Sequence, residues 1–116
     1  MVIAKLAEKV MQKVGKFDGE IDPADLVNVV DVYASLYLVL ADDGLVTWAF
    51  SASDEADIPD RFALPLADLL KAELADVYSV PEPNIGWERY KLNVRNSIRR
   101  QLASGQPTET VTAEYY

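Results

Sequence analysis

Apolar residues recur with helical spacing at the start of the chain. Val2, Leu6, Val10 and Val14 stand at successive steps of four positions, with one lysine in each of the three gaps between them. This spacing places the apolar side chains on one face of an α-helix. Gly15 follows, and glycine often ends a helix because it enters the left-handed conformation at little cost. The pattern predicts a first amphipathic helix that stops at Gly15.

A second helix is predicted by a start signal and a long apolar run. Asp22 can accept hydrogen bonds from unpaired backbone N–H groups, and Pro23 suits the first helical position. Residues 26–41 are apolar almost throughout, with a β-branched run that also allows a strand. The run is long for a strand, so we expect a helix. Because this helix lacks a polar face, we expect it to be buried on several sides as the central element of the fold.

The residues after this helix predict a turn and a short β segment. Asp43 and Gly44 form a tight-turn signal. Residues 45–51 are rich in β-forming side chains, among them Trp48, and alternate in part between apolar and polar. Residues 53–57 are acidic, but they lack the spaced oxygen ligands and the glycine of a calcium loop. We therefore expect a strand or hairpin arm followed by a solvated loop.

Two further helices are predicted in the second half of the chain. The third opens at Pro59 and has an apolar stripe that reaches Val77, and Pro65 should kink it or mark the start of its regular part. The fourth runs from about residue 85 to residue 103, before Gly105. Its apolar stripe consists of Trp87, Tyr90, Val94, Ile98 and Leu102.

The predicted fold class is mainly α. Residues 1–105 form a four-helix bundle-like domain with a short β segment or hairpin after the second helix. Residues 106–116 follow a Gly/Pro break and are expected to form an extended C-terminal arm. The alternating pattern in this arm fits a frayed terminus, and it also fits a strand that becomes ordered on a partner. The terminal Tyr115 and Tyr116 favour the second alternative, since tyrosine is enriched at interfaces.

Length and composition are typical of one folded domain. The chain has 116 residues, of which 50% are hydrophobic, so it can bury a core without metals or disulfides. No window approaches the roughly 20 apolar residues of a membrane span, and we therefore expect no membrane partner. The N-terminus is amphipathic and charged, unlike a secretory leader.

The residue types needed for common catalytic and metal sites are missing. The sequence contains no histidine and no cysteine, which excludes Ser–His–Asp and Cys–His catalysis and thiolate zinc sites. It also lacks a phosphate-binding glycine motif, because the five glycines are scattered. We accordingly predict no catalytic residue, no metal site and no cofactor, and we do not expect an enzyme.

The net charge of −8 is unevenly distributed. Residues 1–16 hold four lysines and one carboxylate, and residues 84–104 hold five basic residues and one carboxylate. Between them, residues 17–83 hold 15 carboxylates and two basic residues. Either the basic helices pair with the acidic middle of the same chain, or the different faces meet different surroundings.

Residues 31–104 resemble the head-to-tail adaptor proteins of tailed bacteriophages, also called head-completion or packaged-DNA-stabilisation proteins. The resemblance depends on the order of four features: an apolar helix entering the Asp-Gly turn at residues 42–45, an aromatic segment with Trp48 and Phe50, an Ile-Pro helix start at residues 58–62, and a helix at residues 66–75 that precedes a final helix with a basic face.

The resemblance implies a structural protein of the virion, made in the host cytoplasm. About twelve copies would form a ring beneath the portal protein, extend the DNA channel and dock the tail or tail-terminator proteins. DNA would pass without sequence specificity. The portal-binding residues would lie in the C-terminal arm: Thr110, Val111, Thr112, Ala113, Tyr115 and Tyr116. The candidate channel or subunit contacts are Arg89, Arg95, Arg99, Arg100 and Trp48.

Two other functions fit the same pattern. One is a small acidic helical module that binds a single soluble partner, as a regulatory or antitoxin-like protein does. The other is a nucleic-acid binder that uses the fourth helix, where Arg95, Arg99 and Arg100 suit phosphate contacts. The sequence pI of about 4.4 disfavours a dedicated nucleic-acid binder.

Overall fold

The protein is mainly α-helical, as predicted. The computed structural model describes residues 1–17, 19–50 and 58–104, and within these ranges it contains helices but no strand. In chain order the helices are α1 (Ile3–Lys13), α2 (Pro23–Asp42), a 3₁₀ turn (Asp60–Phe62), α3 (Ala63–Glu73), α4 (Ala75–Tyr78) and α5 (Trp87–Ser104). The predicted C-terminal arm, residues 106–116, lies outside the described residues.

Helix α1 follows the predicted amphipathic pattern. Its buried side chains are Ile3, Leu6, Ala7, Val10 and Met11. The helix stops where the sequence predicted, because Gly15 adopts a left-handed φ of 78°. The backbone N–H of Lys16 then donates to the carbonyl oxygen of Met11 at 2.9 Å, which satisfies one of the carbonyls left free at a helix end.

Met1 also fixes the start of α1 to the segment that precedes α3. Its ammonium group donates to the carbonyl oxygen of Ile58 at 2.6 Å, and the N–H of Ile58 donates back to the carbonyl oxygen of Met1 at 2.8 Å. Ile58 is fully buried. The paired bonds therefore hold two distant parts of the chain at one edge of the core.

Helix α2 begins as predicted but is not the centre of the fold. The carboxylate of Asp22 accepts from the N–H of Ala24 at 2.9 Å, and Pro23 is the first helical residue. However, the apolar side chains of α2 are divided between two faces. Those buried are Val29, Tyr33, Leu36 and Leu40, and those exposed are Val27, Leu38 and Val39. The expectation that α2 is buried on several sides is therefore wrong.

The central element is α3, which packs against α1, α2 and α5. Leu66, Leu69 and Leu70 are buried on it, and the small side chains Ala63 and Ala67 are buried between them. Small residues let three neighbouring helices approach α3 closely, whereas only one of the two apolar faces of α2 is buried.

The third predicted helix is divided in the structure. Pro65 lies in the first turn of α3, where its missing N–H leaves no intrahelical bond unmade and no kink is needed. The regular helix ends at Glu73, and the short helix α4 follows. Val77, which the sequence assigned to the apolar stripe, is 61% exposed on α4. The break at Leu74 turns Val77 away from the core.

The predicted strand is absent from residues 45–50, and residue 51 lies outside the described ranges. Leu45 is buried, and its N–H caps α2 by donating to the carbonyl oxygen of Leu40 at 2.8 Å. A strand needs a neighbouring backbone to pair with, and a side chain takes that place here. The hydroxyl of Tyr37 donates to the carbonyl oxygen of Trp48 at 2.6 Å.

Helix α5 closes the described fold by packing on α3. Ile98 is buried, and Val94 and Leu102 pack against the core beside it. This apolar stripe was predicted. A full four-helix bundle is not confirmed, because a groove lined by residues of both helices lies between α2 and α5.

Helix α2 also meets the length and composition criteria for a membrane span, contrary to our expectation from the sequence. It has 20 residues, and its most apolar window has a mean hydropathy of 1.5 with 22% of the window buried. The sequence argument required an uninterrupted apolar run, whereas this window contains carboxylates, and the absence of a membrane partner stays a prediction. Length and composition alone are weak grounds for a span, since a core helix can satisfy both.

Candidate interaction surface

A concave groove, the α2–α5 groove, lies between α2 and α5. It has a volume of about 530 Å³ and is lined by residues from α2, α3 and α5. These residues are Asp31, Val32, Ser35, Leu36, Val39, Glu73 and Arg95. The α2 side of the groove thus combines three apolar residues with Asp31 and Ser35, and Glu73 and Arg95 add charged groups from α3 and α5.

The spacing of residues along α2 explains the character of the groove. Asp31, Ser35 and Val39 are four positions apart, so they lie one above another on a single edge of the helix. Leu36 is turned further inward and is only 5% exposed. Val39 is 44% exposed. Among the apolar residues on the α2 side of the groove, Val39 is therefore the one most open to a partner.

Arg95 is the most unusual polar residue of this surface. Its Nε atom is buried and has no hydrogen-bond partner, although the residue lines the open groove. Within the described ranges, neither Arg95 nor Asp31 has a side-chain hydrogen bond or ion pair. A buried donor without an acceptor destabilises a fold by about 1–3 kcal/mol.

Only part of the basic charge is neutralised by the acidic middle of the chain. Lys13 of α1 pairs with Asp68 of α3 at 2.9 Å, and Lys91 of α5 pairs with Glu73 at 3.2 Å. These contacts fit the interpretation that the basic helices pair within the chain. However, they use one basic residue from each helix.

The other basic residues of α5 remain available to a partner. Arg89, Arg99 and Arg100 are exposed. Arg99 donates to the side-chain oxygen of Asn96 at 2.9 Å, and none of the three forms an ion pair with another described residue. Helix α5 therefore presents a basic face to its surroundings, as its sequence predicted.

Trp48 belongs to an aromatic cluster at the end of α2. Its ring lies 5.3 Å from the ring of Phe62 and 6.2 Å from that of Tyr37, measured between centroids. Its indole Nε1 donates to the hydroxyl of Tyr33 at 2.9 Å. Burial raises the pKa of the Tyr33 hydroxyl. These contacts give Trp48 a structural task, and its role in a subunit contact stays a prediction.

A second polar cluster joins α4 to the start of α2. The hydroxyl of Tyr78 donates to Asp25 Oδ1 at 2.6 Å and accepts from Asn28 Nδ2 at 3.2 Å. Burial raises the pKa of this hydroxyl, the bond from Asn28 lowers it, and the carboxylate of Asp25 raises it again. The cluster supports the end of α2 that precedes the groove.

The remaining predicted site residues cannot be placed. Thr110, Val111, Thr112, Ala113, Tyr115 and Tyr116 lie outside the described residues. Among residues 1–17, 19–50 and 58–104, no group of three or more carboxylates is arranged to hold a metal ion.

Sequence reasoning did not find the groove or the burial of Arg95. It also missed the polar cluster around Tyr78, because Asp25 and Tyr78 are 53 positions apart. One feature of the sequence could have indicated an uncovered surface on α2. The apolar run of α2 extends around the whole helix, and a single neighbouring helix cannot cover every face of it.

Similarity to known proteins does not assign the chain to a family. No protein-family model, no curated protein and no solved structure matches it.

Proposed function

We propose that this protein is a structural component of a bacteriophage particle, a head-to-tail adaptor that forms a ring under the portal. The ring extends the DNA channel and docks the tail or tail-terminator proteins. The proposal rests on the sequence resemblance over residues 31–104. In the proposed adaptor, the four long helices α1, α2, α3 and α5 form a bundle-like domain, and residues 106–116 form the arm that binds the portal protein.

The observation that best supports a binding function is the uncovered surface of α2 and α5. Val27, Leu38 and Val39 of α2 are exposed, and the exposed arginines of α5 form no ion pair with a described residue. Exposed apolar side chains beside unpaired charges are typical of surfaces that meet other proteins. This observation favours a protein that functions by binding other proteins. The proposal involves no catalytic group and no cofactor.

Each predicted residue has a role in this proposal. Thr110, Val111, Thr112, Ala113, Tyr115 and Tyr116 bind the portal, while Arg89, Arg95, Arg99, Arg100 and Trp48 line the channel or contact neighbouring copies. The acidic net charge of −8 suits a channel through which DNA moves without being held. The assembled ring belongs to the virion, and its subunits are made in the host cytoplasm without a membrane partner.

Portal capture tests the function directly. An affinity-tagged portal protein from the same gene neighbourhood is co-expressed with the untagged chain, because a tag on Met1 would disturb its bonds to Ile58. We expect native mass spectrometry to show a multimeric portal complex carrying a ring of chains. Absence of any complex with the portal would refute the adaptor function.

A truncated chain tests the arm separately. Removal of residues 106–116 should abolish portal capture and leave the helical circular dichroism spectrum of the domain unchanged. The matched control changes the other end of the chain, where the exposed Val2 is replaced by Ser and capture should persist. Full capture by the truncated chain would show that the arm does not bind the portal.

The second candidate is a small acidic helical interaction module with a regulatory or antitoxin-like role. The α2–α5 groove favours it, since helix-in-groove binding uses such apolar rows. This candidate predicts a tight complex with one soluble partner and no ring. The same native mass spectra separate the two functions by the mass and composition of the captured complex.

A further inference from the structure

We propose that the α2–α5 groove receives helix α2 of a second copy of the chain. The inference concerns contacts that the chain makes with itself. It does not depend on the portal, and so it stands or falls separately from the adaptor function.

One face of helix α2 forms an exposed ridge of the kind that a helix inserts into a groove. Val27 and Leu38 are 57% and 65% exposed. They are eleven positions apart, which is about three turns, so they lie on the same face of the helix. Asp31 lies between them, one turn after Val27, and is also exposed. The ridge therefore presents apolar, acidic and apolar side chains in succession.

The groove offers the complementary groups. Val39, Val32 and Leu36 supply an apolar wall. Arg95 supplies a guanidinium group that forms no ion pair with a described residue. A carboxylate is the acceptor that a guanidinium binds best, because two parallel N–H···O bonds can form. Asp31 of a second copy carries that carboxylate on the ridge, and within the described residues it has no partner in its own chain.

The charges of the two helices favour contact between copies. Helix α2 carries Asp25, Asp31 and Asp42 and no basic residue, whereas α5 carries five basic residues and only Glu88 as a carboxylate. The acidic ridge of one copy is therefore attracted to the α5 side of the groove in another. Each copy has both surfaces, so the contact can be exchanged within a pair or repeated from copy to copy.

Other occupants fit the surface less well. A bilayer would place Asp31 near the middle of the apolar helix, where a carboxylate is strongly disfavoured. A nucleic-acid backbone presents a continuous row of charged phosphates, which would leave the apolar wall of Val32, Leu36 and Val39 without an apolar partner. Both alternatives leave the match between Asp31 and Arg95 unused.

Sedimentation of the full-length chain tests the inference. We expect the mass to rise above 12.9 kDa as the concentration increases from about 1 µM to about 1 mM. Leu38→Ser should raise the dissociation constant at least about tenfold, because it removes an apolar anchor of the ridge. Leu64→Ser is the matched control. Leu64 is 60% exposed and lies nine positions from Glu73, on the opposite face of α3, so its replacement should have no effect.

A charge-exchange experiment identifies the proposed pair. Asp31→Arg and Arg95→Glu each place like charges at the contact, and each variant alone should associate at least about tenfold more weakly. An equimolar mixture of the two variants should recover association. In the mixture the introduced arginine of one variant meets the introduced glutamate of the other, and the unchanged pair also forms. If Arg95→Glu alters the circular dichroism spectrum, Asp31→Arg and Leu38→Ser carry the test, because both change exposed side chains.

Several outcomes would overturn the inference: a monomer at every concentration, equal effects of Leu38→Ser and Leu64→Ser, or no recovery in the mixture of folded variants. Flotation of a monomeric chain with phospholipid vesicles, lost in Leu38→Ser, would overturn it in favour of a membrane. A closed pair of chains supports the inference while counting against the proposed ring. Association through a different surface, together with portal capture, would overturn the inference and support the adaptor function.

Discussion

The hydroxyl group of Tyr78 donates a 2.6 Å hydrogen bond to the carboxylate of Asp25. This bond connects α4 to the first turn of α2, across 53 positions of sequence. Asn28 donates to the same hydroxyl from the next turn of α2. The α2 side of the groove begins one turn further along, so the position of this side depends partly on a polar contact at its end.

Replacement of Tyr78 by Phe should lower the free energy of unfolding by about 1 kcal/mol, because it leaves a partly buried carboxylate and amide without their shared partner. Urea titration followed by circular dichroism measures the change. Val77→Ala alters the neighbouring exposed side chain, and it should change the free energy by less than about 0.5 kcal/mol. Equal stability of Y78F and the unchanged chain would show that the bond contributes nothing.

Stability should fall as the pH rises above about 10. Burial raises the pKa of the hydroxyls of Tyr33, Tyr78 and Tyr90, and the nearby carboxylate of Asp68 also raises the pKa of Tyr90. A raised pKa in the folded state means that the folded chain holds these protons when the unfolded chain has released them. Their contribution is complete below the unfolded pKa and is lost as pH rises through the folded pKa.

Urea titrations at a series of alkaline pH values measure this dependence. Y78F should make the decline shallower, because it removes one of the three groups. A decline as steep as that of the unchanged chain would assign the pH dependence to other residues.

Leu70→Ala should destabilise the protein by about 2–5 kcal/mol, as expected for a leucine deleted from a packed core. Leu70 is fully buried on the central helix α3, whereas Leu64 on the same helix is 60% exposed. Leu64→Ala should therefore change the free energy of unfolding by less than about 0.5 kcal/mol. Thermal unfolding of both variants compares them. Similar losses at the two positions would contradict the assignment of α3 as the centre of the core.

Ser79→Gly should stabilise the protein by about 0.5 kcal/mol, because relief of the left-handed conformation outweighs the extra freedom that glycine gives the unfolded chain. Ser79 ends α4 with φ 56° and ψ 41°, in the left-handed region. The N–H of Val80 then donates to the carbonyl oxygen of Ala75 at 2.9 Å, which closes the helix end. Ser79→Val should have the opposite effect, because a β-branched residue tolerates this conformation poorly. Urea titration ranks the three chains, and a stabilising valine would refute the argument.

Local signals in the sequence predicted where several helices begin and end. Asp22 and Pro23 begin α2, and Gly15 follows the end of α1. Both signals are local, because caps and backbone conformations depend on residues a few positions apart. The apolar stripe of α5 was also predicted, since its spacing leads to the buried Ile98. The strand prediction at residues 45–50 was wrong because β-forming side chains do not supply a neighbouring backbone to pair with.

The sequence by itself determined the mainly helical class, the amphipathic faces of α1 and α5, and the unequal distribution of charge. These properties follow from residues close together in the chain. Only the tertiary structure decided that α3 lies at the centre, that part of the apolar surface of α2 stays exposed, and that Arg95 and Asp31 line the same groove. Such relationships depend on which faces of distant helices compete for the same neighbours. A local pattern shows that a face is apolar, but it does not show which neighbour covers it.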